Sequence, residues 1–490
     1  MKNLKIYWWL TIFAFFFLSA AAIWLGGLNQ DEGWYLYAAN LVAEGEIPYR
    51  DFFFTQGPVM PYFYAAFCWV WKFGGLLGAR IFTWVLGAVG ILFAVALTRR
   101  LVVEDRRDFA SIVVILLLGV NLYNLYYLAI PKTYALCSVF LMIGFYLLSV
   151  GLDTRQKRTM IFAGLALAFA AGTRISMAVV VVMVAVWFVM SARWHRLVWF
   201  LTGAAIGVAI VYLPFVFLGF SGFVAAQKYH AMRGGFDVMW VVGSISRLVR
   251  WYLPVFLLFG LSLFVHRHRP HRRSFESLMI IAFAAVFVLQ LMSPYPYDDY
   301  QVPNMILLAV YVVVRLIKIL NSVTLRKFSD LLLLSVLGLC FAGAFGSPLL
   351  EKWTTNGQDR FWSRKKAQCE LAQLRSVAAR IDALDPNGKE ILTQDLYLAI
   401  ELNRKVPKGL EMGPFAMLNN DEWKLLLGSC TCPMAALSGY TFAINPPKCN
   451  ERPIKQQMAY WEILKHNYDL VGQEKDFGQN ATTLLILKHK

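Results

Sequence analysis

Residues 31–67 read DEGWYLYAANLVAEGEIPYRDFFFTQGPVMPYFYAAF and follow directly on an apolar run at about 7–26. That run is long enough to cross a bilayer, which takes roughly twenty apolar residues. The charged and aromatic stretch after it therefore lies at a membrane face. Lys2 and Lys5 precede the run, as in a signal peptide, but no small-residue cleavage pattern follows and further apolar runs do. The segment reads as an uncleaved anchor.

Composition extends this reading to the whole chain. Of its 490 residues, 58% are hydrophobic and only 16% charged, with a mean hydropathy of +0.53. A soluble domain is usually about half apolar and a quarter charged. The chain is thus expected to be a polytopic α-helical membrane protein. Its net charge of +17 does not point to nucleic acid, because most of the excess lies in short loops between apolar runs.

Those runs fall at approximately 7–26, 79–98, 109–122, 134–151, 159–172, 175–192, 197–219, 246–265, 276–292, 300–318 and 330–347. With the N-terminus inside, the inner loops become 98–107, 153–158, 192–196, 266–273 (HRHRPHRR) and 315–327, all of them basic. The opposite loops include the net acidic 27–57 and SPYPYDD at 293–299. Lys and Arg collect on the cytoplasmic side, so one orientation satisfies every loop. It predicts about eleven crossings, with Asp31 and the C-terminal tail outside. The segment PVMPYFYAAFCWVWKF at 58–73 would invert all later loops if it crossed, so it is expected to lie in or dip into the outer interface, where aromatic rings are well accommodated.

Two domains are expected, a membrane domain at 1–348 and an extracytoplasmic α/β domain at 349–490. Beyond 348 acids and bases come near balance and turn signals appear, as in Asp385-Pro386-Asn387-Gly388. Strand-like runs at 390–394, 439–444, 468–472 and 482–488 alternate with helical stretches near 364–383, 421–427 and 454–466. The tail is long enough for a core of its own. It also holds Cys369, Cys430, Cys432 and Cys449, so one or two disulfides are expected there, with the pairing open. Cys68, Cys137 and Cys340 lie in apolar segments and read as small hydrophobes. Internal repeats are absent.

Polar groups near span ends are costly and tend to be functional. The topology gathers Asp31, Glu32, Tyr35, Arg80, Lys132, Arg174, Lys228, His230, Arg233, Arg247, Arg250, Asp298, Asp299 and Tyr300 at the outer face. Displacement at the anomeric carbon of a sugar builds positive charge on the ring and negative charge on a departing phosphate. A carboxylate near the incoming hydroxyl serves the first, and fixed cations serve the second. Lys132, Arg174, Lys228 and Arg233 are candidates to meet a lipid phosphate, and Tyr35 and Tyr300 to stack on sugar. Arg247 and Arg250 read rather as headgroup anchors. A divalent cation held by Asp298, Asp299 and Asp31 stays open, since no spacing enforces it; no metal ligand and no cofactor is assigned.

The first hundred residues resemble the GT-C glycosyltransferases of the protein O-mannosyltransferase and aminoarabinose-transferase superfamily. The matching residues are Asp31, Glu32, Tyr35, Ala38, Gly45, Pro48, Tyr49, Pro58, Tyr62 and Arg80, and Tyr300-Gln301-Val302-Pro303 resembles a late Tyr and Pro pattern. The resemblance implies an inverting glycosyltransferase in the plasma (bacterial inner) membrane, moving a sugar from a polyprenyl-phosphate donor to a lipid, glycan or protein acceptor. It makes Asp31 the base, Glu32 its catalytic partner and Arg80 a substrate-side or structural residue. The chain departs from the pattern at Ile130-Pro131-Lys132, where many relatives carry an acid, and at Gln56-Gly57-Pro58-Val59. Competing readings are a multi-span transporter and an assembly protein of envelope polysaccharide. A transporter would place ionisable groups near mid-bilayer and show symmetry between halves.

Overall fold

The computed structural model describes residues 4–231, 236–264, 274–322, 329–344, 369–439 and 454–490. A helix stands in each of the eleven apolar runs. Among the described residues five are long and apolar enough to cross a membrane: Leu4–Leu25, Trp69–Leu101, Thr133–Thr154, Trp194–Leu218 and Asp298–Leu320. The count rises to seven if two sharply bent pairs, Glu104–Gly119 with Leu122–Ala129 and Val238–Trp251 with Leu253–Leu263, each form one span. The protein is an integral membrane protein with apolar side chains turned outward all around it, such as Phe13, Phe17, Leu92 and Phe217, all more than half exposed.

Helix Val302–Ser322 is the axis of the bundle. From Val302 to Val314 every apolar side chain is buried, against helices on several sides. Its head, the turn Asp298–Gln301, is therefore held firmly at one end of the bundle. The segment 58–73 is not one continuous helix. It breaks into the helix Val59–Ala65 and the first turns of Trp69–Leu101. Seven residues of helix rise only about 10 Å. The break before Leu76 falls at Gly75, whose φ of 59° and ψ of −154° are open only to glycine.

The stretch after the first span forms the helix Gln30–Ala43. Asn29 caps it: its side chain accepts from the Asp31 N–H, and Glu32 returns a bond to the Asn29 N–H. Asp31 is thereby fixed in the first turn, where the helix dipole favours an anion.

The tail carries a three-stranded antiparallel sheet with Thr482–His489 at the centre, Met434–Ser438 on one side and Tyr468–Phe477 on the other. Met434 pairs with Lys488 and Ser438 with Leu484. Helices Glu370–Leu384, Asn420–Ser429 and Ile454–Asn467 fall where periodicity placed them. Residues 390–394 make only isolated bridges, Glu390 with Lys405 and Leu392 with Ala435, instead of a strand. Most of the run expected at 439–444 and the boundary expected at 348 lie outside the described residues.

The expectation of a separate tail core is corrected. Leu371, Leu374, Ile391, Leu396, Tyr397 and Leu437 pack in one apolar cluster with Leu36, Ala39, Phe54, Met60 and Leu76. The seam is close. A Cβ on Gly33 would lie 2.3 Å from the Tyr397 backbone nitrogen, so this helix face must be bare for the tail to seat. Tail carboxylates close the seam by accepting backbone bonds, Glu370 from Leu28 and Glu401 from Leu76, each at 2.7 Å. The disulfide expectation is also corrected: Cys369, Cys430 and Cys432 are free thiols, and Cys449 lies outside the described residues. Cys432 and the Tyr468 hydroxyl hydrogen-bond to the Cys430 sulfur and bring its thiol down to about 6.

Candidate active site

Four helix ends meet beside Asp31. Asp31 begins the helix Gln30–Ala43, Lys132 immediately precedes Thr133–Thr154, Arg174 immediately follows Lys157–Thr173, and Asp298-Asp299 leads into Val302–Ser322. The interiors of these helices are apolar, so charge gathers at the ends.

Asp31 is held from two directions. The Lys132 ammonium lies 2.8 Å from its Oδ2, and the Trp34 indole N–H donates to Oδ1 at 3.0 Å. About a quarter of the Asp31 side chain remains exposed, whereas Lys132 is almost wholly enclosed. Lys132 also donates to Asp299 Oδ2 at 3.0 Å, and the Tyr134 hydroxyl donates to the same oxygen at 2.6 Å. Lys132 thus joins two carboxylates, a pairing that its expected place as a phosphate contact did not include.

Arg174 differs. Its guanidinium lies over the rings of Tyr134 and Tyr300, 4.6 and 5.2 Å from their centroids, and donates to the Thr133 hydroxyl at 3.0 Å. It forms no ion pair among the described residues, and its Nε is buried without a hydrogen-bond partner. A guanidinium so placed keeps its charge and one N–H uncommitted to any acid among the described residues. Tyr35 stacks on Trp34 with centroids 3.9 Å apart, and the charges of Asp31, Lys132 and Arg174 all reach its hydroxyl. Burial and the Asp31 charge push that hydroxyl well above the usual phenol range, so it stays protonated and is a donor at neutral pH.

Glu32 and Arg80 stand apart from this cluster. Both side chains are fully buried, and Arg80 donates to the two carboxylate oxygens at 2.7 Å each. Its remaining N–H groups serve the carbonyls of Ile23, Gly26 and Gly27 at 2.8–3.0 Å. Every strong donor of Arg80 is spent on the first span's end and on Glu32. This corrects the expected catalytic place of Glu32 and the substrate-side place of Arg80: neither is open to a ligand. Lys228 sits exposed on the helix Phe220–Ala231. Arg233 lies outside the described residues.

Sequence reasoning missed Asp299 and Tyr134 as partners of Lys132. It also read Arg247 as a headgroup anchor, yet Arg247 is buried and donates to Asp298 Oδ1 at 2.9 Å, with the Tyr123 hydroxyl on the other oxygen at 2.5 Å. The charge pattern itself offered a signal: two acids at 298–299 expected on the same face as Lys132 and Arg247. The donor set does not fit the cation left open above. Lys132 occupies the position between Asp31 and Asp299, Arg247 takes Asp298, and among the described residues no group of three His, Cys, Asp or Glu side chains is arranged to hold a metal.

No family model matches the chain, and no curated protein matches it by sequence. Solved structures do. ArnT from Cupriavidus metallidurans bound to undecaprenyl phosphate superposes with a TM-score of 0.65 at 14% identity, covering 97% of each chain. Its apo form gives 0.64 at 13%, again over 97% of each chain. The chain has the GT-C fold. The Archaeoglobus fulgidus oligosaccharyltransferase tethered to an acceptor peptide containing the NVT sequon is similar at a TM-score of 0.50 and 12% identity, over 96% of this chain and 73% of that one. The likeness to ArnT runs through both the bundle and the tail, so the two are parts of one architecture.

Proposed function

We propose that the protein is an inverting glycosyltransferase that moves a sugar from a polyprenyl-phosphate carrier to an acceptor hydroxyl or amide at the extracytoplasmic face. The observation that carries the reading is the pairing of a part-exposed carboxylate, Asp31, with an anion receptor, Arg174, across the Lys132–Tyr134 corner. A fold shared with a protein crystallised with undecaprenyl phosphate supports a lipid-phosphate ligand. Basic loops at the far end of the bundle support an outward Asp31.

In this mechanism Asp31 takes the proton of the acceptor as the acceptor oxygen or nitrogen bonds to the anomeric carbon. The bond from that carbon to the phosphate oxygen breaks on the opposite face, inverting the configuration. The departing polyprenyl phosphate gains negative charge, which Arg174 stabilises, while Tyr134 and Tyr300 hold the guanidinium in plane. Tyr35 donates to a sugar hydroxyl. Glu32 and Arg80 position Asp31 by fixing the Asn29 cap. The acceptor is a lipid, a glycan or a protein.

Purified protein in lipid nanodiscs, given a panel of undecaprenyl-phosphate sugars and envelope extract as acceptor, tests this. Asp31→Asn is expected to lose about 10²- to 10⁴-fold in turnover while still binding undecaprenyl phosphate. Arg174→Leu is expected to weaken that binding by about tenfold or more, since a hydrogen bond to a charged group contributes about 1.5–3 kcal/mol. A fully active Asp31→Asn variant would overturn the assignment.

A further inference from the structure

One ammonium serving two acids is an unusual way to hold a base. Lys132 is 2.8 Å from Asp31 and 3.0 Å from Asp299, so the two carboxylate oxygens stand within about 5.8 Å of each other, the two ion-pair lengths laid end to end. Asp299 is buried, takes a second donor from Tyr134, and is fixed at the head of the bundle's central helix. Asp31 is the more exposed of the two.

We propose that Asp299 is a positioning residue for the transfer, one that divides the Lys132 ammonium with Asp31 and so leaves Asp31 basic enough to take a proton. This rests on the reading of Asp31 as the base. A carboxylate bonded to an undivided ammonium is a poor proton acceptor. Drawing that cation toward a second, buried carboxylate loosens its hold, while the cation still keeps two like charges in one pocket. Asp299 does not touch substrate; it acts through Lys132.

The other charged and titratable groups around Asp31 do not do this. On its own helix Glu32 is bound by Arg80, and the Tyr35 hydroxyl stays neutral. Arg174 lies over the Tyr134 and Tyr300 rings and donates to the Thr133 hydroxyl. Asp298 is matched by Arg247. Behind the helix, the tail's Asp395 accepts from Gln30 and Tyr397 and is held toward its neutral form by burial. Asp299 alone among these shares Asp31's cation.

The test is a pH titration of the Asp31 carboxyl in full-length protein in nanodiscs, read as the infrared carboxyl band that is lost in Asp31→Asn. Removing a negative charge favours ionisation, so Asp299→Asn should lower the Asp31 midpoint, by about 0.5 to 2 pH units at the separation above for effective dielectrics between bulk water and a protein surface. Lys132→Met removes the cation and should raise the midpoint. Tyr134→Phe strips a donor from Asp299, which then draws Lys132 harder, so the midpoint should again rise; this variant carries the test if Asp299→Asn does not accumulate folded. Asp299→Glu should stay near the parent. The acid limb of the turnover profile should move with the midpoint. An Asp31 midpoint unmoved in both Asp299→Asn and Tyr134→Phe while Lys132→Met shifts it would overturn the proposal. An active Asp31→Asn variant beside intact infrared shifts would instead overturn Asp31 as the base and leave the division of Lys132 standing.

Discussion

Arg80→Met separates a structural from a substrate-side role for this cation. Arg80 and Glu32 have no solvent contact, and two 2.7 Å bonds join their charges. Removing one partner of a buried pair leaves the other charge stranded and typically costs about 3–5 kcal/mol. The carbonyls of Ile23, Gly26 and Gly27 lose charged donors at the same time, so the upper half of that range is expected. Adding Glu32→Gln removes the stranded charge, so the double variant should recover part of the loss, with a coupling of about 2–3 kcal/mol. Reversible unfolding in mixed micelles gives all four corners of the cycle. Undecaprenyl phosphate binding per folded molecule should stay at the parent value in each, since Arg80 is enclosed, while turnover falls with the loosened Asn29 cap. A destabilisation by Arg80→Met below about 1 kcal/mol, or a folded variant that has lost lipid phosphate binding, would refute the reasoning.

Two further outcomes follow from the seam between bundle and tail. Gly75→Ala places a Cβ 2.3 Å from the Glu401 carboxylate in a backbone region that only glycine enters, and should cost about 1–3 kcal/mol in thermal unfolding, partly relieved by Glu401→Ala. Burial pushes the Asp395 carboxyl up from the usual range, so the folded state binds its proton more tightly than the unfolded chain. Stability from this group is therefore full below about pH 4 and is lost as pH rises through the folded value, at about 1.4 kcal/mol per unit of displacement. Asp395→Asn should flatten that slope and leave the protein more stable than its parent at pH 7; a steeper slope would sink the assignment.

The bundle was legible in the sequence because lipid demands apolar runs and basic inner loops, and both survive without knowledge of packing. Each predicted run holds a helix, and 58–73, set apart from the spans by the loop charges, is broken between two helices. Length was less legible. Runs such as 109–122 and 246–265 look like single spans, but helices bend by 71° and 93° just beyond Gly119 and Trp251. The tail's core was misjudged for a different reason: periodicity reports that Leu396 and Leu437 are buried but not what buries them, and the apolar cluster they join draws on residues 28–79 as well as on the tail.

The site shows the same division at the level of single side chains. Asp31, Lys132, Arg174, Tyr35 and Tyr300 were brought together by topology alone, since all lie at ends that must share one membrane face. What topology lacks is pairing. Glu32 is adjacent to Asp31 in sequence yet points to a different side of the helix, because successive helical residues turn by about 100°. The Asn29-x-x-Glu32 spacing, a capping-box signature, already implied that Glu32 was engaged by its own helix start. Lys132 stands where many relatives carry an acid, and its ammonium is matched by Asp299 from a loop 167 residues away. A cation that replaces an acid in a pocket of acids must recruit a second carboxylate or bind the first one too tightly. On the proposed reading that requirement, rather than any motif, is what ties Asp299 to Asp31.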